Sequence, residues 1–258
     1  MQDLTVTLVQ TELFWEDIPR NLEKFTRLLS NISQETDVIV LPEMFSTGFT
    51  MNAASFAEEK DGPSMEWLRQ TAVTRSADIV ASLIIKEHGN YFNRLIWMHV
   101  DGSFDSYDKR HLFRMAGENK TYTPGNKKIV VRCKGWRICP LICYDLRFPV
   151  WSRNRGEFDA IFYVANWPEP RRMAWQVLLR ARAIENQVYV VGVNRIGQDG
   201  AGKEYCGDSA VIDAAGEIIS LTLPDQQSVE TVHLSFKDLE EYRNKFQFRL
   251  DADPFEVK

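Results

Sequence analysis

The sequence is poor in cysteine, has no excess of positive charge and contains no apolar run of membrane-spanning length. Four cysteines in 258 residues are too sparse for a disulfide framework and point to a reducing cytoplasm. A formal net charge of -5 leaves no basic face for neutralising phosphates, which argues against a nucleic-acid partner. No Lys/Arg-rich segment followed by an apolar stretch opens the chain, which argues against a secretory signal. Internal repeats, low-complexity blocks and linkers are also missing. With 44% hydrophobic and 26% charged residues the composition is that of an ordinary globular protein, and we expect a single α/β domain over 1–258.

What is present is an alternation of apolar strands with helical patterns. Leu4-Thr-Val-Thr-Leu-Val9 reads as a strand, Asp17 to about Leu29 as an amphipathic helix, and Val38-Ile-Val-Leu41 as a short strand buried on both faces. A helix is expected from Pro63 to about Arg75, then strands Ile79–Ile85 and Asn93–Val100 around a turn at Gly89-Asn90. Strands Ile129–Val131 and Ile138–Ile142 flank the Lys134-Gly135 turn, and Asp159–Ala165 is another buried strand. Met173, Val177, Ala181 and Ile184 fall at helical spacing within Pro170–Asn186, followed by a strand over Val188–Val193. Strands around Ala210–Ile212 and Glu217–Leu221 and a charged helix from about Phe236 to Asn244 complete the chain. Two strand-rich halves with helices between them imply two layered sheets with helices outside.

Three ionisable residues follow apolar strands or lie in loops entered from them. Glu43 comes directly after Val38-Ile-Val-Leu-Pro42, where partial dryness favours a carboxylate acting as a base, although an acid there also suits a helix start. Lys109, in Tyr107-Asp-Lys-Arg-His111, could place an ammonium beside a thiolate or a developing oxyanion, or could simply be solvated. Cys143 ends the apolar run Ile138-Cys-Pro-Leu-Ile142, and Tyr144-Asp145 then opens what reads as a helix. A thiol at such a turn has backbone N–H groups directed at whatever it attacks. Apolar burial would instead keep it inert, as we expect for Cys133, Cys139 and Cys206.

Together, Leu41-Pro-Glu43, Tyr107-Asp-Lys-Arg-His111 and Ile142-Cys-Tyr-Asp-Leu-Arg-Phe-Pro149 resemble the Glu-Lys-Cys signature of the nitrilase, or carbon–nitrogen hydrolase, superfamily. The resemblance runs from the first strand to about Leu221. It implies a four-layer αββα sandwich, two mixed sheets face to face with helices outside. It also implies Glu43 as general base, Cys143 as nucleophile, and Lys109 with the Tyr144 N–H stabilising the tetrahedral intermediate. Glu118, in Met115-Ala-Gly-Glu-Asn119, matches the second glutamate that many members carry after the lysine, and would orient Lys109. No metal or organic cofactor is implied, and a homodimer is.

Leu41-Pro-Glu-Met-Phe-Ser-Thr-Gly-Phe49 and Ala165-Asn-Trp-Pro168 are similar to segments of a narrower branch, the omega-amidases. That similarity implies hydrolysis of the terminal amide of short 2-oxo dicarboxylic acid monoamides such as 2-oxoglutaramate and 2-oxosuccinamate. The remote carboxylate then needs a cationic or N–H-rich end of the pocket, for which Arg147, Arg171 and Arg172 are candidates. Phe45, Phe49 and Trp167 would form apolar walls, with Asn166 at the strand end where the pocket opens. Another amidase or a true nitrilase of the same superfamily would use the same triad. A Cys–His pair with His111 as base is a further alternative, but the sequence identifies no Asn or Asp to orient it. A metal-binding module on Cys133, Cys139, Cys143 and Cys206 lacks any Cys-x-x-Cys pair.

Overall fold

Val38 and Val40 point to one side of their strand and Ile39 to the other, yet all three are fully buried, so both faces of the sheet must be covered. The structure, a computed structural model describing residues 2–256, contains both covers. In chain order its strands are β1 (Leu4–Gln10), β2 (Val38–Val40), β3 (Asp78–Glu87), β4 (Asn90–Met98), β5 (Phe104–Asp108), β6 (Val131–Cys133), β7 (Trp136–Ile142), β8 (Ala160–Ala165), β9 (Tyr189–Asn194), β10 (Ile196–Gln198), β11 (Glu204–Cys206), β12 (Ala210–Ile212) and β13 (Ser228–Leu234). They form a 6-stranded sheet in the order β13-β1-β2-β3-β4-β5, a 5-stranded sheet in the order β12-β9-β8-β7-β6, and a separate β10-β11 hairpin. Each large sheet is parallel at its centre and antiparallel towards its edges.

The inner faces meet in one apolar core, in which Val6, Val38, Val40, Val80 and Trp97 pack with Ile138, Phe162, Val164 and Val191. The Trp97 and Phe162 ring centroids lie 5.6 Å apart. On the outer face of the first sheet, Phe25 and Leu29 of helix Ile18–Ser30 and Met65 and Leu68 of helix Pro63–Arg75 pack on Ile39, Ile79 and Ala81. Asp17 caps the first of these helices, accepting from Arg20 N at 3.1 Å, a bond typically worth about 1 kcal/mol. Helix Arg172–Asn186 covers the second sheet through Trp175, Leu179 and Ala183. These are the four αββα layers that the resemblance implies.

One expected spacing proves to mark the solvent face, and one expected strand is corrected. Met173, Val177 and Ile184 do keep helical spacing, but they face solvent at 71%, 53% and 44% exposure. The helix carries a second stripe, Trp175, Leu179 and Ala183, and that one seats because Gly192 on β9 leaves room for it. A Cβ on Gly192 would stand 2.7 Å from Leu179 and 3.0 Å from Trp175. Glu217–Leu221 is not a strand. It makes an isolated bridge from Ile218 to Ile212, and Leu221 is exposed, since no neighbouring strand continues the pairing. Conversely, β5, β10, β11 and β13 were not expected.

Both sheets present the same kind of edge to the site. Glu43 follows β2, Cys143 follows β7 and Asn166 follows β8, each beyond the C-terminal end of a parallel strand. β5 runs in the direction of β3 because two antiparallel pairings separate them, so Lys109, just after β5, comes to the same edge as Glu43. Crevices outside the carboxyl ends of parallel strands are where α/β sheets commonly bind ligands.

Candidate active site

Cys143 is reached by β7 and leaves it in the left-handed region, at φ 42, a conformation that side-chain-bearing residues avoid. Residues Cys143–Arg147 form a single 3₁₀ turn rather than the expected helix. Any anion stabilisation here therefore comes from individual N–H groups and not from a helix N-terminus. The turn is closed from behind by Asp145, whose Oδ2 accepts from Ile142 N at 3.1 Å. Cys143 is 8% exposed, enough to be approached through the cleft it lines.

Glu43, Lys109 and Glu118 converge beside it, all fully buried. Lys109 Nζ donates to Glu43 Oε1 at 2.8 Å and to Glu118 Oε1 at 3.0 Å. Asn93, which carries no signal in the sequence, uses both hydrogens of its Nδ2, donating to Glu43 Oε1 at 2.8 Å and Glu118 Oε1 at 3.2 Å. Its main-chain carbonyl also accepts from Lys109 N at 3.0 Å, so one β4 residue sets both the chain and the charges of the site. Glu43 Oε2 accepts from Asn166 N at 2.8 Å, and the Asn166 side chain donates back to the Glu43 carbonyl. Glu118 Oε2 accepts from Phe113 N, a return that Gly117 permits by turning at φ 78.

Burial and the neighbouring Glu43 carboxylate push the Cys143 thiol well above its usual range, with Lys109 opposing. With no helix N-terminus to add to the lysine, burial and Glu43 prevail and keep the thiol protonated beside the Glu43 carboxylate. Burial alone would lower the Lys109 ammonium, but Glu118 and Glu43 outweigh it and hold the lysine above its ordinary value. Burial, followed by the charge of Glu43, raises Glu118 even though Lys109 opposes it. Glu43, Glu118 and a single ammonium thus make a dry site short of one positive charge.

A narrow cleft opens over the thiol, lined by Phe49, Lys109, Tyr144, Arg147, Asn166, Trp167, Arg171, Lys203 and Tyr205 among others. Arg147 lies over the Trp167 ring at 4.9 Å and Arg171 over Phe113 at 4.6 Å. Among the described residues, neither guanidinium nor Lys203 has an ion-pair partner. Lys203 is likewise silent in the sequence; it rides on the β10-β11 hairpin, which folds back to the cleft.

Phe45 and Arg172 must be removed from the candidate set. Phe45 is buried against Phe25 and Trp67, with ring centroids at 5.3 and 5.4 Å, because the turn at Met44 (φ 46) directs it to the outer helices. Arg172 is held by Asp208 through bonds of 2.6 and 2.9 Å. His111 does have an acidic orienter after all, since its Nδ1 donates to Asp145 Oδ1 at 2.8 Å. It does not line the cleft, however, and its ring stacks on Phe148. The cysteines form no metal-holding group among the described residues.

Comparison with known proteins gives consistent matches. Residues 5–244 match the carbon–nitrogen hydrolase family model. The chain is 48% identical over 257 residues to the omega-amidase YafV of Escherichia coli, covering 100% of each. It is 32% identical over 221 residues to the 2-oxoglutaramate amidase of Bacillus subtilis, covering 84% of this chain and 85% of that one. A crystal structure of a CN-hydrolase superfamily protein from Xanthomonas campestris, with an arsenic adduct in its active site, superposes with a TM-score of 0.97 at 43% identity and covers 100% of both chains.

Proposed function

The chain belongs to the carbon–nitrogen hydrolase family, and from that premise we propose that it is an omega-amidase, hydrolysing short 2-oxo dicarboxylic acid monoamides such as 2-oxoglutaramate and 2-oxosuccinamate to the 2-oxo dicarboxylate and ammonia. One observation carries the substrate class. Three cations without ion-pair partners among the described residues, Arg147, Arg171 and Lys203, line the same cleft as Cys143. A neutral amide would leave them unmatched, whereas a carboxylate at the far end of the substrate meets them.

In this reading Glu43 takes the thiol proton and the Cys143 sulfur attacks the amide carbon. The oxyanion forms against the Lys109 ammonium and the Tyr144 N–H. The C–N bond breaks as Glu43 returns its proton to the departing ammonia, leaving a thioester on Cys143. Glu43 then deprotonates water, which displaces the thiol and releases the carboxylate. Glu118 and Asn93 hold Lys109 and Glu43 in line, and Phe49 and Trp167 wall the reacting carbon from solvent. A thiol that rests protonated beside a carboxylate is the starting state these steps require.

The test is ammonia release from 2-oxoglutaramate, glutamine and butyramide. Glutamine differs by an α-ammonium that the arginines repel, so it is expected to be a poor substrate. Arg171→Leu is expected to raise KM for 2-oxoglutaramate by about 10- to 100-fold, the worth of a charge-assisted bond, with butyramide turnover little changed. Equal turnover of all three amides, or equal losses on both substrates in Arg171→Leu, would sink the assignment.

The match over residues 5–244 supports one catalytic domain across 1–258, and four free cysteines suit a reducing cytoplasm. No described helix is long and apolar enough to cross a membrane. We assign the solvent-facing strip Met173, Val177 and Ile184 to contact with a second copy of the chain. Light scattering at micromolar concentration is expected to return a dimer, and a monomer there would reject this surface.

A further inference from the structure

Lys109 and Cys143 come from different sheets, and their relative placement must be held to a fraction of an ångström if ammonium and thiol are to act on the oxygen and carbon of one carbonyl group. Beneath them lies a buried polar network that the proposed chemistry does not use. Asp145, two residues beyond Cys143, is fully buried and accepts four hydrogen bonds. Ile142 N donates at 3.1 Å, Tyr107 Oη at 2.7 Å, His111 N at 3.0 Å and His111 Nδ1 at 2.8 Å. Tyr107 and His111 are the residues two before and two after Lys109. Tyr107 Oη in turn accepts from Arg110 N at 3.2 Å and from Trp151 Nε1 at 3.0 Å. The His111 ring stacks on Phe148 with centroids 3.7 Å apart and planes within 7°.

We propose that His111 and Asp145 are a positioning pair, which locks the segment bearing Lys109 to the turn bearing Cys143. Asp145 reaches both at once. One oxygen anchors Ile142 immediately before the strained thiol residue, and the other takes both the main chain and the ring of His111. His111 is not a catalytic residue, because it stays out of the cleft and acts through Asp145. Its side chain is 23% exposed and stacks on Phe148, so another planar ring can take its place.

The inference rests on Cys143 as the nucleophile, so the thiol itself is read alongside turnover. Alkylation of Cys143 by iodoacetamide is followed by mass spectrometry, with kcat and KM on 2-oxoglutaramate and Tm measured on the same variants. His111→Phe keeps the stack on Phe148 and removes the ring donor to Asp145 while leaving the main-chain one, and His111→Asn keeps a side-chain donor near the Nδ1 position. His111→Phe is expected to lower kcat by about 10- to 100-fold at constant KM, to slow alkylation and to leave Tm nearly unchanged. His111→Asn is expected to recover most of both rates, and Tyr107→Phe, which cuts the second tie, to resemble His111→Phe. The proposal is overturned if His111→Phe stays within about threefold of wild type in both rates, or if losses in all three variants simply track Tm. Turnover by Cys143→Ala would remove the premise instead, and so separates failure of the site reading from failure of the positioning pair.

Discussion

Cys143→Ala is expected to lower ammonia release from 2-oxoglutaramate by about five to six orders of magnitude, the scale seen when a hydrolase loses its nucleophile. No other thiol can stand in. Burial pushes Cys139 up to about 12, and Cys133 and Cys206 likewise to about 12, and none of the three lines the cleft. Cys143→Ser is expected to be nearly as inactive. The thiol is already held above its usual range and Glu43 must still deprotonate it, so the less acidic hydroxyl lies beyond the reach of that carboxylate. Tm should survive both changes, because the strained backbone at φ 42 is no worse with alanine or serine. Steady-state ammonia assays on the purified variants decide the point. Residual turnover above about a thousandth of wild type would assign the chemistry to another group.

Lys109→Met is expected to damage both activity and stability. On the activity side it removes the ammonium proposed to face the oxyanion, an effect of about 10²- to 10³-fold in kcat. On the stability side it leaves Glu43 and Glu118 buried together with only Asn93 between them, for which breaking a buried ion pair suggests a loss of about 3–5 kcal/mol. The loss should depend on pH with a definite sign. Glu118 is already raised by burial and by Glu43, and without Lys109 the folded protein must take up a proton that the unfolded chain does not hold. The native state then binds more protons, so its stability falls as pH rises and returns as pH is lowered. Thermal melts from about pH 8 down to about pH 5 should show the gap to wild type closing. A gap that is constant across that range, or absent, would count against a shared buried charge.

Sequence and structure agree most closely where an apolar run ends on an ionisable residue. Glu43 and Cys143 carry that signal, Lys109 is found only through the Tyr107–His111 segment of the resemblance, and the structure brings all three together with Glu118. Asn93 carries none, since a buried amide has no periodic signature and its partners, Glu43 and Glu118, lie far away along the chain. Lys203 sits in a Gly-rich stretch that reads as a solvated turn, and only the return of the β10-β11 hairpin gives it a role. Phe45 misleads in the opposite way: proximity to Glu43 in sequence suggests a pocket wall, and one left-handed residue, Met44, reverses its direction. β5 escapes because Phe104-Asp-Ser-Tyr-Asp108 is an edge strand on which Tyr107 alone is buried. Asp145 reads as a helix-initiating acid, whereas its carboxylate turns back to serve Lys109's neighbours.

The pairing of β13 with β1 has a consequence for how the molecule is made. β1 precedes every other strand described, yet its outer neighbour is Ser228–Leu234, matched residue for residue from Leu4↔Leu234 to Gln10↔Ser228. During synthesis the first sheet can assemble from β1 to β5 early, but one flank stays unzipped until Ser228–Leu234 has left the ribosome. That open flank offers seven unpaired residues, apolar at Leu4, Val6, Leu8 and Val9, as a template for another nascent chain. The last strand therefore serves as a closing seal. Chains cut short before residue 228 should accumulate as aggregates rather than as weakened enzyme.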